Sequence, residues 1–154
     1  MAAPSINVFD TTRLYLADAT QLILPQTTYK VTLHTSTLAL TASGFSVYAN
    51  LTNELSTANG YTNGGFDVSA GKFLTQSTTT VKFGTTTAAT WTASGAGITA
   101  RWYVARAVGT FNGHVDPLVC YGLLDSAPAD VTVASGNILT LNWNANGWFT
   151  LTGG

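Results

Sequence analysis

The fold is signalled most clearly by residues 139–151, which read LTLNWNANGWFTL. Leu139, Leu141 and Trp143 alternate with polar residues, and this period of two is typical of a strand with one buried face. The pair Asn146-Gly147 follows, and both residues tolerate the positive φ angles of a tight turn. Residues 148–151 would then form a second strand that runs antiparallel to the first. We therefore expect a hairpin at the carboxyl end, with Trp143 and Phe149 holding it in the core.

Threonine and Asn-Gly pairs extend this signal along the chain. There are 27 threonines among 154 residues, and their branched, stiff side chains favour a pleated sheet. Four Asn-Gly pairs, at 59–60, 63–64, 112–113 and 146–147, indicate turns. Together with the carboxyl-terminal pair 139–144 and 148–151, the predicted strands are Tyr29–His34, Phe45–Ala49, Phe73–Gln76, Thr79–Phe83, Ile98–Ala107, Leu118–Leu123 and Val131–Val133.

Only one segment has the pattern of a helix. Thr11–Ala19 is preceded by Asp10, which is a suitable N-cap. The chain shows neither a linker nor a repeat with a period of 20–50 residues. We predict an all-β, single-domain β-sandwich or jelly roll with about nine short antiparallel strands and one short N-terminal helix. Residues 1–28 would form an arm and the helix, and residues 29–154 the β-sandwich domain.

Charged residues are scarce and balanced in sign. They make up 8% of the chain, with six bases against seven acids, whereas about 25% is usual in soluble domains. This excludes a basic nucleic-acid binder and a polybasic membrane binder, because neither could neutralise an anionic partner. No apolar run approaches the roughly 18 residues of a membrane helix. A signal-peptide pattern is also missing and Cys120 is the single cysteine, so we expect assembly in a reducing cytosol.

Side chains suited to catalysis or metal binding are few. Two histidines, His34 and His114, are too few for a three-histidine zinc site. His114 and Asp116 would share one face of an extended segment as an acid–base pair, but a polar loop before Pro117 is the preferred interpretation. Cys120 lies in an apolar run and is interpreted as a buried small hydrophobe rather than a reactive thiol.

Glu54 is the only glutamate in the chain. It is a candidate calcium ligand or catalytic carboxylate, but we favour a structural hydrogen-bond acceptor, or an ion-pair partner of Arg101 or Lys30. The glycine spacings match neither a dinucleotide fingerprint nor a phosphate-binding loop, and no Gly-x-Ser-x-Gly elbow occurs. We therefore predict no catalytic residues, no cofactor site and no metal site, and a protein that is not an enzyme.

The aromatic residues and the low charge indicate how the protein surface could bind ligands or other protein chains. Trp91, Trp102, Trp143 and Trp148, with six tyrosines, could form a carbohydrate-stacking face, although core and interface packing is the preferred interpretation. Thirteen charged side chains are few for the exterior of a monomer of this size. A homo-oligomer would remove apolar surface without needing charge. We therefore expect a structural or adhesive assembly.

Several blocks of sequence from Tyr29 onward occur in an order that is more specific than any one of them. These blocks are Asn53-Glu54-Leu55, Ala58-Asn59-Gly60-Tyr61-Thr62 with Gly64-Gly65, Trp91, Ile98-Thr99-Ala100-Arg101-Trp102, Asp116-Pro117-Leu118, and Leu141-Asn142-Trp143-Asn144 with Gly147 and Phe149-Thr150-Leu151. In this order the chain resembles a family of tailed-bacteriophage virion proteins, namely small β-rich head decoration (cement) or minor structural proteins. The residues before 29 match less well.

The resemblance implies a non-enzymatic role on the virion. The chain would be a capsid decoration (cement) protein, a homotrimer on the outer surface of the capsid, bound to the major capsid protein of heads assembled in the host bacterial cytoplasm. No functional residue set transfers with the resemblance. The alternative is a tail or fibre module that binds a host receptor or glycan. Ala2 to Asp10 is the candidate for an arm lying on the capsid or on a neighbouring subunit.

Overall fold

β-Strands form nearly all the regular structure in the computed structural model, which describes residues 6–17, 27–111 and 113–152. The strands are β1 (Asn7–Val8), β2 (Thr28–His34), β3 (Phe66–Asp67), β4 (Lys72–Gln76), β5 (Thr80–Thr85), β6 (Ala89–Thr92), β7 (Ile98–Ala100), β8 (Trp102–Val108), β9 (Thr110–Phe111), β10 (His114–Val115), β11 (Leu118–Leu123), β12 (Val131–Val133), β13 (Ile138–Leu141) and β14 (Phe149–Thr152). The helix α1 spans Asp10–Ala17, and short 3-10 turns lie at Tyr48–Asn50 and Ser69–Gly71. Within the described ranges, no helix has the length and apolarity to cross a membrane.

One antiparallel sheet of five strands, in the order β1-β11-β8-β2-β3, is the centre of the fold. Alternate residues of its strands point to opposite faces. Tyr29, Val31 and Leu33 of β2 share one face, here called the front face, with Tyr103 and Ala105 of β8. Because β8 lies in the middle of the sheet and is covered on both sides, its five inner residues are all buried.

The front face packs against three further sheets, β14-β5-β4, β13-β6 and β12-β7. Phe83, Trp91, Leu141 and Trp148 from these sheets enter one continuous core with the front-face residues. This packing of sheet upon sheet confirms the predicted all-β, sandwich-like fold.

The opposite side of the five-stranded sheet, here called the back face, is covered by irregular chain. Phe9, Val104, Leu118 and Tyr121 form a second buried cluster, against which Leu40, Ala42, Phe45, Tyr48 and Leu51 pack. The predicted strand Phe45–Ala49 is therefore wrong. Val47 makes a single bridge to Pro117 before the chain turns at Tyr48–Asn50, because its apolar side chains cover the sheet instead of extending it.

Most of the other predicted strands are confirmed to within about two residues of each end. Two differences matter. The predicted strand Ile98–Ala107 is interrupted at Arg101, whose N–H donates to the carbonyl of His34 at 2.9 Å, so β7 and β8 enter different sheets. The strand β6 was not predicted from the sequence.

The predicted carboxyl-terminal hairpin is wrong in its pairing. Strand β13 pairs with β6 and β14 pairs with β5. The turn itself exists: Gly147 has a φ of 71° and its N–H donates to the carbonyl of Asn144 at 3.0 Å. It carries the chain from one sheet to another. Trp143 packs against the core and Phe149 is 8% exposed, so both side chains hold the carboxyl end as expected.

The amino-terminal segment differs from its prediction in two ways. The helix α1 starts at Asp10 itself, because the carbonyl of Phe9 accepts the N–H groups of Thr12 and Arg13; its predicted end at Ala19 lies outside the described residues. Strand β1 pairs with β11, and Phe9 is fully buried. From Asn7 to Asp10 the proposed arm therefore lies on its own domain. Residues 2–5 are outside the described part, and the division at residue 28 stays a prediction.

Candidate functional site

Glu54 lies at the centre of a polar cluster, here called the Glu54 network. Its carboxylate accepts hydrogen bonds from the hydroxyl groups of Tyr48 and Tyr61, the latter at 2.6 Å, and from the N–H of Gly64 at 2.7 Å. The Tyr61 hydroxyl in turn accepts the N–H of Leu33 at 3.2 Å. The network thus ties the 48–64 segment to strand β2, and the interpretation of Glu54 as a structural acceptor is confirmed.

The ion-pair partners suggested for Glu54 are not the ones observed. Arg101 pairs with Asp130 at 2.8 Å, and Lys30 lies opposite Asp67 in the β2–β3 register. Within the described residues, no lysine or arginine forms an ion pair with Glu54. The carboxylate of Glu54 is instead stabilised by hydrogen bonds from the hydroxyl groups of Tyr48 and Tyr61. Burial and the hydrogen bond to Glu54 raise the pKa of Tyr48 to about 12, so its phenol remains a donor at neutral pH.

Arg106 joins the Glu54 network to a second loop. Its guanidinium pairs with Asp116, donates to the carbonyl of Gly64 at 3.2 Å and lies 3.9 Å from the centre of the Tyr48 ring. Only 6% of Arg106 is exposed. A buried arginine must be neutralised and hydrogen-bonded, and this residue is held by groups from both loops on the back face. Sequence reasoning missed Arg106, because its position within an apolar strand gave no sign of these partners.

The candidate acid–base pair His114 and Asp116 does not keep the geometry assumed for it. Asp116 has a φ of 50°, so the segment does not continue as an extended strand past Val115. The Asp116 carboxylate is engaged by Arg106 and by the N–H of Gly109 at 2.7 Å. The polar loop predicted before Pro117 is only partly correct, because His114 and Val115 form strand β10, which pairs with β9, and the chain turns at Asp116.

His34 is fully buried and uses both ring nitrogens. Nδ1 lies 3.0 Å from the carbonyl of Thr52, and Nε2 lies 2.9 Å from the Thr32 hydroxyl. Because a carbonyl can only accept, Nδ1 carries the proton in the neutral ring and Nε2 accepts from Thr32. Burial lowers the pKa of His34, against the opposing effects of the Thr52 carbonyl and of Glu54. Among the described residues, no three His, Cys, Asp or Glu side chains cluster as metal ligands do.

Cys120 lies inside the front-face core and has no exposed surface. Burial raises the pKa of its thiol, which keeps the thiol protonated at neutral pH. The interpretation of Cys120 as a small hydrophobe is confirmed.

The four tryptophans have different surroundings. Trp91 and Trp148 are buried in the core, at 5% and 2% exposure, and Trp102 packs against Tyr121 on the back face. Core packing is thus confirmed as the main role of Trp91 and Trp148. Trp143 is partly exposed, as Trp102 is, but it also lines a cleft of about 580 Å³. We call this the Trp143 cleft; its lining residues are Phe73, Thr75, Lys82, Thr85, Thr86, Trp143, Asn144 and Ala145.

The Trp143 ring is held rigidly at one side of this cleft. Its indole N–H donates to the carbonyl of Thr87 at 2.8 Å. Tyr103 and Trp148 meet it edge to face, each with ring centres 5.6 Å apart. Phe73 supplies a second, partly exposed ring. The cleft therefore combines fixed aromatic surface with polar side chains, a composition that suits a small ligand.

A second exposed feature lies at one end of the sheet β14-β5-β4. Leu74, Phe83 and Phe149 share a face, as do their neighbours Gln76, Val81 and Leu151 two residues away. Phe83 and Phe149 are buried, but Leu74 and Leu151 are 47% and 49% exposed. We call Leu74, Val81 and Leu151 the apolar sheet end. The three residues of the apolar sheet end carry no charge, and the nearest charged residue on the same face is Lys72, two residues before Leu74 on β4.

Glu54, Arg106 and Asp116 make contacts that hold loops to the sheet, whereas the Trp143 cleft and the apolar sheet end are exposed surfaces suited to binding. Comparison with protein-family models, with curated proteins and with solved structures finds no match for this chain. Function is therefore inferred from these surfaces together with the resemblance seen in the sequence.

Proposed function

We propose that this chain is a non-enzymatic virion structural protein, a capsid decoration (cement) protein that binds and stabilises the assembled head of a tailed phage. The observation that carries the proposal is the scarcity of charge, since the chain has only six basic and seven acidic residues. Three of the six basic side chains are paired with acids, Arg13 with Asp10, Arg101 with Asp130 and Arg106 with Asp116. Such a surface suits contact with a neutral protein lattice better than with a charged partner.

Self-association into a homotrimer is part of this proposal. The apolar sheet end is uncharged and lies between β14 and β4, which are the two edge strands of their sheet. Exposed apolar surface beside an unpaired strand edge favours association with another chain. It also borders a groove of about 270 Å³ lined in part by Ile6, Val8 and Phe149. We assign this surface to the neighbouring copies of the chain.

A trimer would bind the shell more strongly than a monomer does. Its three copies can contact several capsid subunits at once, and linked contacts gain effective concentration only when those subunits are fixed in a lattice. Contacts made only with the assembled shell stabilise that state by mass action. The protein should therefore prefer shells to free capsid subunits.

The test uses undecorated shells of the phage that encodes the chain. Added protein should bind in proportion to the major capsid protein and raise the temperature at which the shells rupture. The double variant Leu74→Lys, Leu151→Lys should bind at least tenfold more weakly, because it loses the linked contacts. Ile138→Lys is the matched control, since Ile138 is 61% exposed on another strand. No binding to shells, or labelling at the tail tip, would overturn the proposal.

The second candidate function is a tail or fibre module that binds a host receptor or glycan. The observation that favours it is the Trp143 cleft, with its fixed aromatic ring and polar lining. The two functions predict different numbers of copies of the protein in each virion. A decoration protein is present in proportion to the capsid protein, whereas a tail module is present in few copies, so quantitative gel analysis of purified virions separates them.

A further inference from the structure

We propose that the Trp143 cleft binds a pyranose sugar ring and prefers a ring that carries a carboxylate. The inference does not depend on the proposed role on the capsid, and it names the ligand class for the cleft that favours the second candidate function. A protein that stabilises shells need not bind sugar, and a sugar-binding cleft need not face the shell.

The aromatic side of the cleft fits the apolar face of a sugar. A pyranose presents several C–H groups on one face, and these can pack against an aromatic ring. The Thr87 carbonyl and the edge-to-face contacts with Tyr103 and Trp148 already hold Trp143 in place. Little side-chain freedom is then lost when a ligand stacks on it.

The polar side of the cleft supplies donors and acceptors for sugar hydroxyl groups. The amide oxygen of Asn144 accepts the N–H of Asn146 at 2.8 Å, which leaves its two amide N–H groups for a ligand. Thr75 and Thr86 are exposed at the rim and add hydroxyl groups. Alternating hydroxyls on a sugar ring need such a mixture of donors and acceptors.

Charge decides which sugars fit best. Lys82 is the only charged residue among those lining the cleft, and none of them is acidic. One of its three N–H donors is used by the amide oxygen of Asn146 at 2.8 Å. The other two can bind a carboxylate, and this charge-assisted bond is stronger than one to a neutral hydroxyl. An acidic sugar should therefore bind more tightly than its neutral counterpart.

The matched probes are methyl β-D-glucuronide and methyl β-D-glucoside, which differ only at C6, tested with the corresponding galactose pair. Titration to 100 mM, followed by proton–nitrogen NMR, should shift the Trp143 indole and Asn144 amide signals and leave Trp102 unchanged. At low salt the glucuronide should bind about threefold or more tightly than the glucoside. Increasing salt should narrow this difference, because it screens the charge of Lys82.

Two variants separate the aromatic and the charged contributions. Trp143→Phe should weaken all probes at least fivefold, as read from the Asn144 amide, and Trp102→Phe is its control. Lys82→Gln should reduce binding of the glucuronide to that of the glucoside while preserving the spectrum of the folded protein. The proposal is overturned if no probe shifts these signals, or if the shifts persist unchanged in Trp143→Phe. Equal affinity for the two members of a pair would overturn the role of Lys82.

Discussion

At the scale of single residues, several residues from the blocks that carry the resemblance make the contacts that hold loops to the five-stranded sheet. Glu54, Tyr61 and Gly64 belong to the Glu54 network, and Asp116 neutralises Arg106. A buried carboxylate or guanidinium without such partners would cost several kcal/mol, so these positions allow few substitutions. These four residues therefore help to hold the fold together. Trp143 differs from these residues, because it packs against the core and also lines the Trp143 cleft.

His34 makes the stability of the protein depend on pH. Its pKa is lower in the folded chain than in the unfolded chain, so between these two values the unfolded state binds more protons. The stability contributed by the neutral ring is complete above about pH 6.5 and is lost as pH falls toward the folded pKa. Of the groups around it, Thr32 and the Thr52 carbonyl bind the ring, and Glu54 is the nearby charge that opposes the shift.

We expect the free energy of unfolding to fall by up to about 1.4 kcal/mol per pH unit below pH 6.5 because of this one residue. Urea unfolding at pH 7.5, 6.5, 5.5 and 5.0 measures the slope. His34→Gln should flatten it, while His114→Gln, which removes the other imidazole, should retain it. A slope that survives unchanged in His34→Gln would show that another group is responsible.

At the scale of elements, turns were easier to predict than the strands they connect. Asn59-Gly60 forms the expected two-residue turn, with φ angles of 54° and 89° and paired hydrogen bonds between Ala58 and Tyr61. The turn ending at Gly147 also forms, but its flanking strands pair elsewhere. Turn chemistry acts within four residues, whereas strand pairing depends on which distant surfaces the apolar faces can cover.

Gly147 should be more sensitive to substitution than an ordinary turn glycine. A Cβ at Gly147 would lie 2.5 Å from the carbonyl oxygen of Phe83, whereas one at Gly136, at a similar positive φ, would meet nothing within 4 Å. Gly136→Ala should therefore cost about 1 kcal/mol from conformation alone. Gly147→Ala should cost roughly 1–3 kcal/mol more, since the backbone of β5 must move. Thermal unfolding compares the two variants, and equal costs would argue against this close approach.

At the scale of the whole molecule, exposed apolar side chains and scarce charge favour a homotrimer. We expect sedimentation velocity at micromolar concentration to show one species of three times the 16.1 kDa chain mass. Lysines at positions 74 and 151 would bring like charges into the interface, so Leu74→Lys, Leu151→Lys should sediment as a monomer. Ile138→Lys should leave the trimer intact. A wild-type chain that remains a monomer would contradict the assignment of the apolar sheet end.

The sequence by itself determined the class of fold, several strands and the absence of strong charge. These are local or additive properties: alternating apolar residues favour a strand with one buried face, and Asn-Gly favours a turn wherever the chain continues. The roles of Cys120 as a buried hydrophobe and of Glu54 as an acceptor were predictable for the same reason. An apolar neighbourhood predicts burial, and a lone acid near a turn needs donors.

Only the tertiary structure decided which strands pair and which side chains meet. It placed β13 and β14 in different sheets, used Phe45 and Tyr48 to cover the back face, and brought Arg106 to Tyr48 and Asp116. It also placed Trp143 beside Phe73 and Lys82, although these residues are far apart in the chain. Such contacts follow from the packing of whole sheets, because a period of two identifies the face of a strand but not the surface that will cover it.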